Sequence, residues 1–302
     1  MQTHGQSLRG EAKAEAEQCA GHGDKPRRIP MRALLLPWAE ATLRAMPIFK
    51  IASCAAFASL ALLSMGSIAQ TSQSRALEDI AYQDCLSLVR RNPEEGFAQA
   101  QVWQSTGGGL AAAHCGALAL VELKHYADAA DRLELLLPLA EKQAPHLTVA
   151  ILDQAANAWL LAEQPQRARQ LLDIAVNAAP HQSDILIDRA IALAALDDHA
   201  AARADLDRAL SLEPTRADAY ALRASARRQL NDPAGALEDA ETALALEPRL
   251  PEALLERGIL RLNIGDRKGA RADLIQVRLI APDSPAAVAA GRYIEEMDVK
   301  AD

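Results

Sequence analysis

The chain has 302 residues, half of them apolar and only 3% aromatic, with a formal net charge of −8. Most of the apolar share is Ala and Leu, both strong helix formers. No period-two alternation recurs and β-branched residues never cluster for more than two or three positions, so an all-helical chain is expected and a sheet is not.

Residues 1–45 read as a disordered or mis-annotated extension. Its first thirty residues are polar and are broken by Gly5, Gly10, Gly21, Gly23, Pro26 and Pro30. From Met46 the order is MPIFK, then IASCAAFASLALLSM, then GSIAQ, the basic, apolar and small-residue parts of a secretory signal. Ser67 and Ala69 stand three and one residues before a cut at Gln70. The apolar run of about 15 residues falls short of the ~20 that span a bilayer, so a cleaved signal over 46–69 is expected, with an uncleaved inner-membrane anchor as the alternative. A signal starting this far in is explained if translation begins at Met46 or Met31. Cys54 precedes most of the apolar run, which is the wrong side for lipidation. The expected location is therefore the periplasm or another exported compartment. Beyond Ala69 there are 24 Lys and Arg against 35 Asp and Glu; that field repels phosphate backbones and anionic lipids, which disfavours nucleic acid and membrane surfaces as partners.

Residues 70–148 form degenerate helical repeats. The stretch LEDIAYQDCLSLVRRNPEEGFAQAQVWQSTGG predicts a short hairpin divided at Asn92 and Pro93. A second two-helix unit begins near Leu110, with Ala117 and Ala129 at small-residue positions and an insertion of about five residues after it. The period is plain further on. Pro180, Pro214, Pro248 and Pro282 lie 34 residues apart, each after an amphipathic helix ending in forms such as ALSLEP and ALALEP. With each proline at the thirty-second place, four units over 149–282 start at Val149, Ser183, Ala217 and Pro251. Ala156, Ala190, Ala224 and Gly258 occupy the eighth place, and Ala168, Ala202, Ala236 and Ala270 the twentieth. Small side chains there allow two helices to cross closely. Residues 283–302 supply a capping helix and tail, with Ser284 as cap of a helix from about Pro285 to Met297.

The 34-residue period, the small residues at these places and the closing proline resemble the tetratricopeptide repeat. The resemblance implies an all-α, right-handed superhelical solenoid of antiparallel helix hairpins with a concave face. The eleventh place, often aromatic in that family, holds Trp159, Leu193, Arg227 and Arg261, so aliphatic or solvated packing is expected there. In the last three units Arg189, Arg223 and Arg257 precede Asp205, Asp239 and Asp273 by 16 residues; each pair would tie one hairpin and, if partly exposed, stabilise it by roughly 0.2–1 kcal/mol. Cys85 and Cys115 fall at similar heights on neighbouring first helices. An exported chain with these two cysteines predicts a disulfide, closing a 30-residue loop with roughly 3–4 kcal/mol of stabilisation in the chain-entropy model.

Chemistry is not indicated. Gly107, Gly108 and Gly109 precede a helix without the lysine or hydroxyl of a phosphate loop. His114, His125, His146, His181 and His199 lack metal-ligand spacing and read mostly as hairpin-end residues. No catalytic, cofactor or metal residue is assigned, and an enzyme is not expected. In the resembling architecture the groove is lined by the first helix of each unit, which here places Asp153, Asn157, Asp184, Ile187, Ile191, Asp218, Arg228, Leu255 and Ile259 on it. The basic residues that clamp a chaperone's terminal carboxylate in some family members are nearly absent. The expected function is an interaction scaffold of the cell envelope whose concave face takes a protein or peptide with apolar anchors and some basic charge. The alternative is a structural, self-associating protein whose groove is filled by another copy or by its own tail.

Overall fold

The computed structural model describes residues 79–299; the expected extension, the signal and the last residues of the tail lie outside them. Thirteen helices follow one another, and no strand occurs among the described residues. They are α1 (79–91), α2 (Pro93–Ser105), α3 (Gly109–Glu122), α4 (Tyr126–Gln143), α5 (Pro145–Leu161), α6 (Pro165–Ala178), α7 (Ser183–Ala195), α8 (His199–Leu212), α9 (Ala217–Gln229), α10 (Pro233–Leu246), α11 (Pro251–Asn263), α12 (Arg267–Ile280) and α13 (Pro285–Val299). Each packs on its neighbours in sequence. From α5 onward each odd-numbered helix also touches the next odd one, so the first helices of the units lie side by side in one layer.

Local chemistry sets where the helices stop. At the fifteenth place Lys124, Glu163, Asp197, Asn231 and Gly265 all have positive φ, between 57° and 88°. The amide one residue later donates to the carbonyl of the eleventh place, as in Gln164 to Trp159 at 2.8 Å and Asp232 to Arg227 at 2.9 Å. This left-handed closure satisfies carbonyls that the helix end would leave free. In the last three units Asp198, Asp232 and Asp266 then accept the amides of Ala201, Gly235 and Gly269 at 3.1, 3.1 and 2.9 Å, each cap contributing about 1 kcal/mol. The second helix ends before its proline, which cannot donate the next bond. The irregular unit differs there. Its second helix, α4, has 18 residues against 14 in α6, α8, α10 and α12, and carries Pro138 inside, so the inserted residues lengthen the helix rather than loop out.

The crossings are close because the side chains are small. Ala156, Ala190 and Ala224 are at most 1% exposed, and Ala168, Ala202, Ala236 and Ala270 are 0% exposed. A Cβ on Gly258 would meet Leu274 at 3.1 Å. One continuous apolar core runs from Ala117 to Ala219 and another from Ala221 to Met297. A smaller one surrounds Cys85, Val89, Ala100, Cys115 and Ala119. The last helix closes the array. Ser284 Oγ accepts from the Ala287 amide at 3.1 Å, and Ala286, Ala287, Ala290, Ile294 and Met297 of α13 are buried.

The structure brings the three Arg–Asp pairs together, and they are more buried than a surface staple. Arg189 donates to both oxygens of Asp205 at 2.7 Å. Arg223 reaches Asp239 at 2.9 and 2.7 Å, and Arg257 reaches Asp273 at 2.9 and 2.8 Å. The carboxylate side chains are only 5%, 3% and 7% exposed, so the sub-kilocalorie figure for an exposed pair does not apply. Two features correct the sequence reading. Arg227 and Arg261 at the eleventh place are neither solvated nor aliphatic filler: each adds a second cation to the same aspartate, at 3.0 and 2.8 Å. Arg189 and Arg223 also donate backward, to Asp173 at 3.3 Å and Asp207 at 2.8 Å in the preceding unit, so each joins two hairpins. The unit from Val149 has Ala155 and Leu171 at the paired places. There Trp159 Nε1 donates to Glu134, and the Arg167 guanidinium lies 3.4 Å over the indole ring.

Replacing Asp239 by Ala removes the buried anion that Arg223 and Arg227 share, leaving Arg223 only the more exposed Asp207, and is expected to lower unfolding free energy by about 3 kcal/mol. Asp131→Ala, at the exposed pair with Arg167, should cost less than about 1 kcal/mol. Urea titrations of the two variants decide this; equal losses would show that burial does not set the value of these pairs.

Candidate functional site

The layer of odd-numbered helices forms one wall of a cavity of about 500 Å³ between α5, α7, α9 and α11. Its apolar lining is Ile187 and Ile191 from α7, Leu222 from α9, and Leu250 just before α11. Five carboxylates surround these: Asp153, Asp184, Asp188, Asp218 and Glu252. Arg216 is the one cation in the lining. Helical spacing explains the grouping, because the second places of successive units, Asp184, Asp218 and Glu252, form a row of acids at the starts of α7, α9 and α11.

Among the residues expected on the groove, Asp153, Asp184, Ile187, Ile191 and Asp218 line this cavity. The remaining four sit elsewhere. Asn157 Nδ2 donates to Asp188 at 2.9 Å and so supports a lining residue from behind. Arg228 is held by Glu256 at 2.7 and 3.2 Å, between α9 and α11. Ile259 is 6% exposed and belongs to the core, as does Ile187, which edges the cavity while only 4% exposed; Leu255 packs partly buried against the C-terminal core. Asp188 and Leu222 at the sixth place, and Arg216 and Leu250 at the thirty-fourth, were missed. The sixth place carries Gln154, Asp188, Leu222 and Glu256 in the four units, a set with no common chemistry to flag it. The thirty-fourth place is loop in the repeat pattern, yet it reaches the cavity because it immediately precedes the first helix.

Charge is unevenly compensated across this site. Arg216 makes a two-pronged contact with Asp218 at 2.9 and 2.7 Å and a third bond to Asp184 at 2.6 Å. The bond from Arg216 holds the Asp218 carboxyl below the usual carboxylate range. Asp153 has the opposite environment. Burial, then the neighbouring Asp188 and Asp184, push its carboxyl up to about 7, and its Oδ1 is a buried acceptor with no hydrogen-bond partner. A low-dielectric setting beside like charge favours the neutral acid.

Two further groups lie toward the N-terminal end. Cys85 on α1 and Cys115 on α3 stand at disulfide-bonding distance, with Cα atoms 6.4 Å apart and both residues 0% exposed. His114 is not a hairpin-end residue. It lies within α3, 6% exposed, with Nδ1 2.6 Å from Tyr82 Oη and Nε2 2.6 Å from Gln154 Oε1. A neutral ring donating from Nε2 and accepting at Nδ1 satisfies both contacts, and burial lowers its proton affinity. The histidine thus ties α1, α3 and α5 together. Among the described residues no group of His, Cys, Asp and Glu is arranged to hold a metal ion, and no helix is long and apolar enough to cross a membrane.

No family model matches the chain, and no curated protein matches it. Solved structures do. The pilF protein of Pseudomonas aeruginosa is 15% identical with a TM-score of 0.57, over 72% of this chain and 97% of that one. A thermophilic tetratricopeptide repeat protein of Thermus thermophilus is 21% identical with a TM-score of 0.50, over 59% of this chain and 95% of that one. The first such repeat domain of RPAP3, or Spaghetti, solved bound to the HSP90 peptide SRMEEVD, is 26% identical with a TM-score of 0.37, over 38% of this chain and 92% of that one. The fold is that of the tetratricopeptide repeat proteins.

Because the Asp153 carboxyl titrates near 7 when folded and near 3.8 when unfolded, the folded chain holds this proton more tightly. Its contribution is full below pH ~4 and is lost as pH rises toward 7. Asp153→Asn should remove that part of the pH dependence and stabilise the protein relative to wild type at pH 8. Melting curves from pH 4 to 8 test this, and parallel curves for the two proteins would contradict the assignment.

Proposed function

We propose that the chain is a non-catalytic scaffold of the cell envelope that holds a partner protein or peptide on the face formed by its odd-numbered helices. The cavity between α5, α7, α9 and α11 carries this reading. It combines four aliphatic side chains with an excess of carboxylates, a surface that suits a segment with apolar anchors and some positive charge. The repeat fold supports it as well, since stacking first helices side by side makes an extended binding surface out of residues that recur every 34 positions.

Export to the periplasm is part of the same proposal. It is supported by the small-residue end of the apolar run before Gln70 and by the placement of Cys85 against Cys115, a pairing suited to an oxidising compartment. The intact mass of the native protein should correspond to a chain starting at Gln70 and lacking two hydrogens, which return on reduction. A retained Met1, or full alkylation of both thiols without reductant, would overturn the location.

Two substitutions separate binding from folding. Ile191→Ser should leave helicity and melting temperature near wild type and weaken capture of the partner from envelope extract by a central-contact amount, about 1–2 kcal/mol or more. Asp184→Asn should act mainly on the salt dependence of association, because an exposed charge steers encounter more than it holds the complex. If both fold and capture as the parent does, the partner uses another face. If Ile191→Ser unfolds the chain, that residue is core.

A further inference from the structure

We propose that the cavity takes one lysine or arginine side chain from an otherwise aliphatic stretch of the partner, with its cationic head between Asp153 and Asp188, and that docking expels a proton. The inference rests on the concave-face reading above and specifies what that face selects. Four observations lead to it. The Ile187, Ile191, Leu222 and Leu250 side chains offer an apolar bed for the methylene stem of a long basic residue. Arg216, the one cation of the lining, directs its bonds within the cavity to Asp184 and Asp218, so neither Asp153 nor Asp188 receives it. Asp188 receives one bond from Asn157, which leaves acceptor capacity free, and Asp153 stands beside it, its proton shared with Asp188 and no cation paired with it among the described residues. An anionic segment would meet repulsion there, and a wholly aliphatic one would cover the Asp188 carboxylate without supplying a donor.

The proton follows from the same geometry. The charged groups around Asp153 are Asp184 and Asp188 from α7, with Arg216, Asp218 and Glu252 farther along the cavity. On the α3 side stands His114, neutral and hydrogen-bonded through both ring nitrogens. From α4 and α6, Glu134 and Arg167 meet α5 at Trp159. Burial first, then the charge and hydrogen bond of Asp188 and the charge of Asp184, keep a proton on Asp153 up to about pH 7. A guanidinium or ammonium in the cavity favours the ionised carboxyl, so the proton leaves to solvent and one charge-assisted bond takes its place. By linkage, affinity rises with pH until the free carboxyl is ionised, and then levels off.

The test uses the protein purified in its native form and two blocked heptapeptides, acetyl-Leu-Ala-Leu-Arg-Leu-Ala-Leu-amide and its counterpart with neutral citrulline in place of arginine. Neither peptide titrates between pH 5.5 and 7.5, so any pH dependence belongs to the protein. Calorimetry should show the arginine peptide binding about tenfold more tightly at pH 7.5, and tightening about tenfold from pH 5.5 to 7.5 while the citrulline peptide does not. At pH 6.5, buffers of different ionisation enthalpy should report release of a fraction of one proton. Asp153→Asn should abolish the proton release and the pH dependence, and Asp153→Asn with Asp188→Asn should erase the preference for arginine. Equal binding of the two peptides, both weakened by Ile191→Ser, overturns the inference and leaves the concave-face reading standing. Arginine preference without pH dependence or proton release overturns the seat at Asp153. Failure of the arginine peptide to bind at millimolar concentration also overturns the inference, and the partner-capture comparison then judges the broader reading alone.

Discussion

Two helices of a hairpin can approach only as closely as the side chains at their crossing permit, and here those side chains are a methyl group or a hydrogen. Everything else in the array depends on that closeness. With Ala190 and Ala202 filling the crossing of α7 and α8, the flanking positions come near enough for Arg189 to reach both oxygens of Asp205. The crossing also shields that carboxylate from water, which turns an ion pair of small value into one whose loss is severe. Apolar packing and buried charge are thus one design seen at two adjacent places of the unit.

The solenoid was legible because its causes are local and repeated. Proline cannot continue a helix, and alanine is needed wherever helices touch, so Pro180, Pro214, Pro248 and Pro282 with the alanines at the eighth and twentieth places carry the architecture openly. The pairing of Arg189, Arg223 and Arg257 with acids 16 residues later was visible for the same reason. A symmetric signal was overlooked: Asp173, Asp207 and Glu241 stand 16 residues before those arginines, and two of the three accept bonds from them. A search for pairs inside one hairpin does not find partners in the previous one.

The cavity was less legible because its lining does not repeat. Asp153, Ile187, Ala221 and Leu255 share one place in the repeat yet differ in chemistry, and which of them meets solvent depends on the neighbours on either side. Ile259 and Arg228 show the difficulty: both occupy outward-reading places, but one is taken into the core and the other is neutralised by Glu256. His114 was misjudged for a related reason. A histidine in an alanine-rich helix has no partner in its own segment; its partners, Tyr82 and Gln154, are 32 and 40 residues away.

The arginines that close one hairpin and reach back to the one before begin at Arg189; ahead of them Arg167 makes the more exposed link back to Asp131 and Glu134, and apolar packing, His114 and the Cys85–Cys115 contact take over. Cohesion therefore changes in kind along the solenoid. Ionic strength bears on the C-terminal units, through bonds that pass from one hairpin to the next, while the redox state of the surroundings bears on the N-terminal end. One apolar core nevertheless runs across this change, from Ala117 to Ala219, so the units on either side stay coupled as neighbours in a one-dimensional array. Salt and reductant thus act on different units of the described solenoid, with that shared core between them.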